Sequence, residues 1–472
     1  MAEYDRLTAQ DMSFLLAETP TSCMHVAATQ VFELGELGTE DGGLDFESIK
    51  KATASLLHRI PRYRQKLQWS PVFERPVWVD DRDFNLDYHM RHTALPRPGS
   101  LAQLKRLSAR VMAQQLDRDR PLWEMWIVEG LEGGRFGVIS KVHHCMIDGA
   151  SGVDLAQILL SISPDQTIAE APRYVPRPPP SGLELARDEV FRRALMPLKA
   201  LRGLRAFRQE THDLSGELRA RARAIRDVLG YAIRPSSDTP INGDIGPHRR
   251  FDWLTLPLED VKTVRRAAGC SVNDVILTTV AGALREYLSD RGADPRNLDF
   301  RISAPVSIRR DDERGALGNR VSSWIVQLPL DEPTPQARLA RIHQATRELK
   351  KSRQAMGVEM MMEVAEWTPP VLLSLGAQAV SGPINSIVTN VPGPQFPLYL
   401  LGARLLAMYP MVPLLPGMGL GIALFSYDGR LCWGFNADFD LVPDLERIPG
   451  LVEHAFKEFA GSLGVEVSGS EG

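Results

Sequence analysis

Two adjacent histidines, His143 and His144, open the run HHCMIDG that closes at Gly149, and in this 472-residue chain they are the side chains best placed by type and spacing to do chemistry. A neutral imidazole takes a hydroxyl proton near pH 7, the opening step when an acyl group passes from a thioester to an alcohol. Successive side chains on a strand point to opposite faces, so both rings cannot aim at one substrate: one is a base and the other scaffold. Three other readings stay open. Adjacent histidines can simply end a strand with their hydrogen bonds satisfied. His144 and Asp148 could share a metal, although their spacing aligns ligands only on a helix and Gly149 favours a loop. Cys145 could be a nucleophile beside a histidine, against its commoner role as a small buried hydrophobe.

The elements that must position the motif lie around it. From Leu101, the residues Leu104, Leu107, Val111 and Met112 recur at helical spacing; Trp123 to Val128 reads as a strand, Glu132-Gly133-Gly134-Arg135 turns the chain back, and Phe136 to His144 returns as a second strand. Helical spacing resumes from Ser151 to Ile162, which puts HHCMIDG in a strand-to-helix loop.

Further on, Glu170 to Ser181 (EAPRYVPRPPPS) is too rich in proline to continue a helix or a central strand, and a domain connection is expected there. Arg187 to Arg208 then interleaves basic residues with Leu195, Leu198, Leu201, Leu204 and Phe207, a basic amphipathic helix interrupted by Pro197. A second set of elements begins near Arg249. Ser271 caps a helix whose third residue, Asp274, completes a capping box. Strands are expected at Phe300 to Ser307, Val321 to Leu328 and Ile384 to Val391, and Asp428-Gly429 signals a hairpin between Leu420 to Tyr427 and Arg430 to Ala437. The chain thus divides into 1–180, carrying the motif, a proline- and arginine-rich connector 181–244, and 245–472.

Composition bounds the function. Hydrophobic residues at 44% and charged residues at 24% describe a globular chain long enough for two cores. A net charge of -4, without a recognisable nucleic-acid motif, excludes nucleic acid as an expected partner. Cys23, Cys145, Cys270 and Cys432 are scattered and form neither a disulfide framework nor a zinc pattern, which fits a reducing interior. The acidic, briefly apolar start lacks the layout of a secretory signal, and no stretch of about 20 residues is apolar throughout; a cytoplasmic protein is expected, at most peripheral on a membrane.

HHCMIDG resembles the HHxxxDG motif of the bacterial wax ester synthase/diacylglycerol acyltransferase family, within the larger chloramphenicol acetyltransferase-like group. PLWEMW (Pro121 to Trp126), VNDVIL (Val272 to Leu277), PVSIR (Pro305 to Arg309), GNRVSSW (Gly318 to Trp324) and NVPGP (Asn390 to Pro394) follow in the family's order, between MSFLLAET (Met12 to Thr19) and FNADFDLVPD (Phe435 to Asp444). The resemblance implies a mixed α/β fold, α+β in character, of two chloramphenicol acetyltransferase-like domains with an active-site tunnel between them. It makes His144 the base beside His143, turns Asp148 away to pair with an arginine, here Arg309, and gives Gly149 the tight turn of the loop. Asn273 and Asp274 match the family's ND pair near the reaction centre, although Asp274 also reads as a helix cap. Cys145 stands where the family often has alanine. The implied substrates are a long-chain acyl-CoA and diacylglycerol, with a fatty alcohol as the alternative acceptor; acyl-CoA is consumed, and no cofactor is expected. The expected setting stays cytoplasmic, with a peripheral position on the inner membrane face or lipid droplets left open, and a non-catalytic lipid-droplet protein of the same fold is the rival from another class.

Overall fold

The computed structural model describes residues 4–70, 76–146, 158–165, 167–192, 194, 236–307, 321–351 and 384–470, with backbone alone at 305–307, 321–323 and 351. The motif strand Arg135–His143 is buried along almost its whole length, as expected of an apolar run in the middle of a sheet covered on both faces. It pairs antiparallel with Trp123–Leu131 on one side and His25–Glu33 on the other. The six-stranded sheet around it runs, in spatial order, Tyr399–Leu400, Ala403–Met411, His25–Glu33, Arg135–His143, Trp123–Leu131 and Met90–Ala94. Its outer strand Met90–Ala94 is parallel to its neighbour.

A second six-stranded sheet runs Val321–Leu328, Phe300–Ser307, Ser386–Pro392, Leu420–Tyr427, Arg430–Asp438 and Arg249–Pro257. Asp428 and Gly429 take φ of 42° and 79°, the left-handed pair that a two-residue hairpin with twisted strands requires. The helix Val272–Asp290 lies in the core of this half, and Ser271 and Asp274 form the expected capping box. The strand expected from Ile384 begins at Ser386 and ends at Pro392.

The two sheets share more than a boundary. Strand Ala403–Met411, from the carboxy-terminal part of the chain, pairs with His25–Glu33 in the first sheet. The helix Leu101–Ala113, opened by a Ser100/Gln103 capping box, buries Leu104, Leu107, Val111 and Met112 in one apolar cluster with Phe251 and Trp253 of the second sheet. Trp253 stacks on Tyr409 at 4.4 Å, and Thr255 Oγ1 lies 3.0 Å from the Tyr409 hydroxyl.

The proline-dense segment is held down as a strap. Tyr174 donates its hydroxyl to the carbonyls of Arg64 and Asp81 at 3.2 and 3.1 Å, with the Arg64 guanidinium over its ring. Arg177 grips both carboxylate oxygens of Asp80, at 2.9 and 3.1 Å. Of the basic amphipathic helix expected at 187–208, only residues up to 192 and residue 194 are described; they belong to a helix running from 182. Among the described residues no single helix is long and apolar enough to cross a membrane.

Candidate active site

The strand ends one residue earlier than the sequence suggests. His143 closes it, its N–H donating to the Leu122 carbonyl at 2.9 Å, and His144 already belongs to a single tight turn, His144–Met146. The His144 N–H donates to the Met24 carbonyl at 2.8 Å, so the backbone of both histidines is tied to the segments flanking the sheet. The rings meet different partners, His143 reaching Glu18 and His144 reaching Phe14.

The His143 ring is held inside the protein. It is 1% exposed and hydrogen-bonds through Nε2 to Glu18 Oε2 at 2.7 Å, while its Nδ1 accepts the backbone N–H of Cys145 at 3.2 Å. Burial pushes the Glu18 carboxyl up, but the His143 hydrogen bond, with the Arg118 guanidinium at 3.1 Å, outweighs it and holds the group below its ordinary range. His25, registered opposite His143, presents its ring edge-on at 5.7 Å and is fully buried, with Nε2 3.9 Å from Glu18 Oε1. Burial, aided by Lys141 and His143, lowers its imidazole well below the usual value, so it stays uncharged. Lys141, on the same face, donates to the carbonyls of Val111 and Gln114 at 2.8 Å each and pairs with Glu124 at 2.6 Å. Glu18 with His143 and Arg118, and Lys141 with Glu124, are buried as mutually satisfied sets.

His144 faces the other way. Its ring stacks on Phe14, of the helix Ala9–Ala17, with centroids 3.9 Å apart and planes 23° from parallel. Nδ1 is buried with no hydrogen-bond partner on another described residue. Burial pulls the imidazole down to about 4, only partly opposed by the residue's own backbone, so the ring is uncharged at neutral pH. Cys145 is 2% exposed, and burial, with Asp11 and Glu18 adding, drives its thiol well above the ordinary value. A thiol held in its protonated form is a poor nucleophile.

Asn273 and Asp274 sit in the second half. Asn273 Oδ1 accepts from Asn390 Nδ2 at 2.8 Å, which joins the ND pair to the NVPGP stretch. Asp274 is more than a cap: its buried carboxylate accepts from Thr346 at 2.9 Å and meets His343 Nδ1 at 3.0 Å, tying down the helix Pro335–Lys351. Both residues line a cavity of about 550 Å³ with an apolar wall that includes Ile276, Leu277, Trp324 and Val388, and with Arg265 and Lys350 exposed at its margin. Among the described residues no hydrogen bond or ion pair links this group to His143 or His144. Asp148, Gly149 and Arg309 lie outside the described residues.

Sequence reasoning missed Phe14, Glu18 and Arg118. The first two stand within MSFLLAET, where one helical turn separates them, but nothing local says that they meet residues 125 or more positions away.

Comparison with known proteins bears on the whole chain. Residues 7–276 match the wax ester synthase/diacylglycerol acyltransferase catalytic domain, and residues 317–460 match the carboxy-terminal domain described for the same family. The probable diacylglycerol O-acyltransferase tgs1 of Mycobacterium tuberculosis is 32% identical over 461 residues, 96% of this chain and 95% of the relative. The probable diacylglycerol O-acyltransferase tgs2 of the same species is 32% identical over 475 residues, covering 98% of this chain and all of the relative. Among solved structures, the wax ester synthase/diacylglycerol acyltransferase from Marinobacter aquaeolei is similar, with a TM-score of 0.67, 25% identity, and coverage of 98% of this chain and all of that one. The first condensation domain of the calcium-dependent antibiotic synthetase shares the fold at a TM-score of 0.60 and 17% identity, covering 97% of this chain and 98% of that one.

Proposed function

The chain belongs to the wax ester synthase/diacylglycerol acyltransferase family and is an acyltransferase, and from that premise we propose that it transfers a long-chain acyl group from acyl-CoA to the free hydroxyl of diacylglycerol, yielding triacylglycerol and CoA. The observation that carries the reading is the uncharged His144 imidazole, wedged against Phe14 at the end of the motif strand.

With the proton on Nδ1, His144 Nε2 removes the hydroxyl proton as the oxygen attacks the thioester carbonyl. The tetrahedral intermediate collapses with cleavage of the C–S bond, and the imidazolium returns the proton to the departing thiolate. No acyl group rests on the protein. The Asn273 side-chain N–H groups, with Oδ1 already engaged by Asn390, are candidates to steady the oxyanion, an interaction typically worth about 3 kcal/mol. The cavity beside them suits an acyl thioester, with apolar walls for the chain and Arg265 and Lys350 for phosphate. Asp148 is proposed as the ion-pair partner of Arg309, with Gly149 shaping the turn between motif strand and following segment.

Diacylglycerol resides in membranes and droplets, and the helix at 182–192 exposes Leu183, Val190 and Phe191 beside Arg187, which supports peripheral docking from the cytoplasmic side. The test is CoA release by purified protein, with one long-chain acyl-CoA and a panel of diacylglycerols and fatty alcohols. Turnover should be highest with diacylglycerol; a preference for alcohols would make the product a wax ester. His144→Ala should lower turnover by about a hundredfold or more without loss of fold, whereas Cys145→Ala keeps most of it. Near-normal turnover by folded His144→Ala protein rejects the reading.

A further inference from the structure

We infer that Glu18 is a positioning residue for this acyl transfer, fixing, through its buried hydrogen bond to His143, the turn that aims the His144 imidazole at its substrate. The inference rests on His144 as the base.

The tautomer of His143 follows from its neighbours. The Cys145 N–H points at Nδ1 from 3.2 Å, so Nδ1 carries the lone pair and the ring proton sits on Nε2. That proton is donated to Glu18 Oε2 at 2.7 Å. An ionised carboxylate only accepts, so it selects this tautomer; the opposite one would set two N–H groups against each other at Nδ1. With the correct tautomer in place, Nδ1 holds the amide that immediately follows His144. The amide that precedes it is held by Met24, and the one before that by Leu122. The turn is therefore tied on both sides of the base.

The same short element controls the ring. Glu18 is the residue that closes the helix Ala9–Ala17, and Phe14, one turn earlier on that helix, stacks on His144. A Thr8/Asp11 capping box fixes the other end of the helix. Glu18 reaches its place at a cost, since its side chain is 2% exposed, and the arrangement offsets that cost with Arg118 at 3.1 Å and with Gln115 at 3.5 Å. A residue that merely ended a helix would need none of these partners.

The test compares kcat and the KM for each substrate in wild type, Glu18→Ala, Glu18→Gln, His143→Ala and the Glu18→Ala/His143→Ala double variant, by CoA release. Glu18→Ala should lower kcat by about tenfold or more while both KM values stay within about twofold. Glu18→Gln, whose amide oxygen still accepts from Nε2, should recover most of that loss. The double variant should be no slower than His143→Ala alone, because Glu18 acts through His143. Unchanged kcat in folded Glu18→Ala, a loss confined to KM, or losses that multiply in the double variant would overturn the inference. If Glu18→Ala does not fold, Glu18→Asp replaces it: one methylene shorter, it should lose kcat where Glu18→Gln does not, and equal activity of the two overturns the inference. Failure of the functional reading is separable, because it appears as CoA release that survives His144→Ala in an otherwise wild-type chain.

Discussion

A base held uncharged by burial titrates far from the usual histidine range, and at His144 that has a direct kinetic consequence. The role proposed for His144 needs the unprotonated ring, so activity should be present above its folded value of about 4 and lost as pH falls through it. The acid limb of kcat/KM should therefore lie near pH 4, well below the 6.5 or so of an ordinary histidine, provided circular dichroism shows the protein still folded there. An acid limb near 6.5 would place a solvated histidine in the role. The proposed base was legible as a candidate because a histidine pair before Asp-Gly is conspicuous in one dimension. Its environment was not: Phe14 and Glu18 belong to a helix at the other end of the half, and their meeting with the motif is decided by how that helix docks on the finished sheet. Cys145 shows the same limit, since its burial, which raises its thiol, follows from packing.

At the scale of elements, the most legible feature was the helix Val272–Asp290, because capping boxes are local chemistry written within four residues. What the pattern could not reveal is that the same carboxylate also binds a second helix. Loss of the cap alone costs about 1 kcal/mol, and Asp274→Ala additionally strands Thr346 and His343 without their acceptor, for a total of about 2 to 3 kcal/mol. Ser271→Ala removes the reciprocal half of the box and leaves the tie between helices. Denaturant melts of the two variants should therefore differ, with Asp274→Ala clearly the less stable; equal losses would reduce Asp274 to a cap. Burial raises the Asp274 carboxyl, but hydrogen bonds from His343, Ser271 and Thr346 prevail and lower it. Its contribution to stability is thus present above the ordinary carboxylate range and disappears as pH falls through the lowered folded value. The proline-dense strap was legible as extended chain but not as a docked one, because Tyr174 and Arg177 find their partners about a hundred residues upstream.

For the whole molecule, the sheets do not follow the order of the chain. Strand Ala403–Met411 follows the long run of second-half elements and yet pairs with His25–Glu33, beside the motif strand. Alternation and length are the same whichever sheet a strand joins, so no periodicity in the sequence could announce this crossing. The crossing needs close approach of backbones, and Gly434 of the strand Arg430–Asp438 provides it: a Cβ there would stand 1.9 Å from the Pro410 carbonyl oxygen. Backbone cannot swing aside as a flexible side chain can, so Gly434→Ala must push the two strands apart. The stacked pair Trp253–Tyr409 and the Thr255–Tyr409 hydroxyl contact lie across the same seam and would loosen with it. We expect a loss of about 3 kcal/mol in unfolding free energy, the upper part of the range for overpacking a tight site. Gly450, in the helix Arg447–Ser462, has open space where its Cβ would be, and Gly450→Ala should hold or raise stability by up to about 1 kcal/mol. Because the displaced strand is next but one to the motif strand, folded Gly434→Ala protein should also turn over more slowly than Gly450→Ala. Equal melting of the two variants would mean that the seam between the sheets yields freely, and that the two halves are not locked together by this crossing strand.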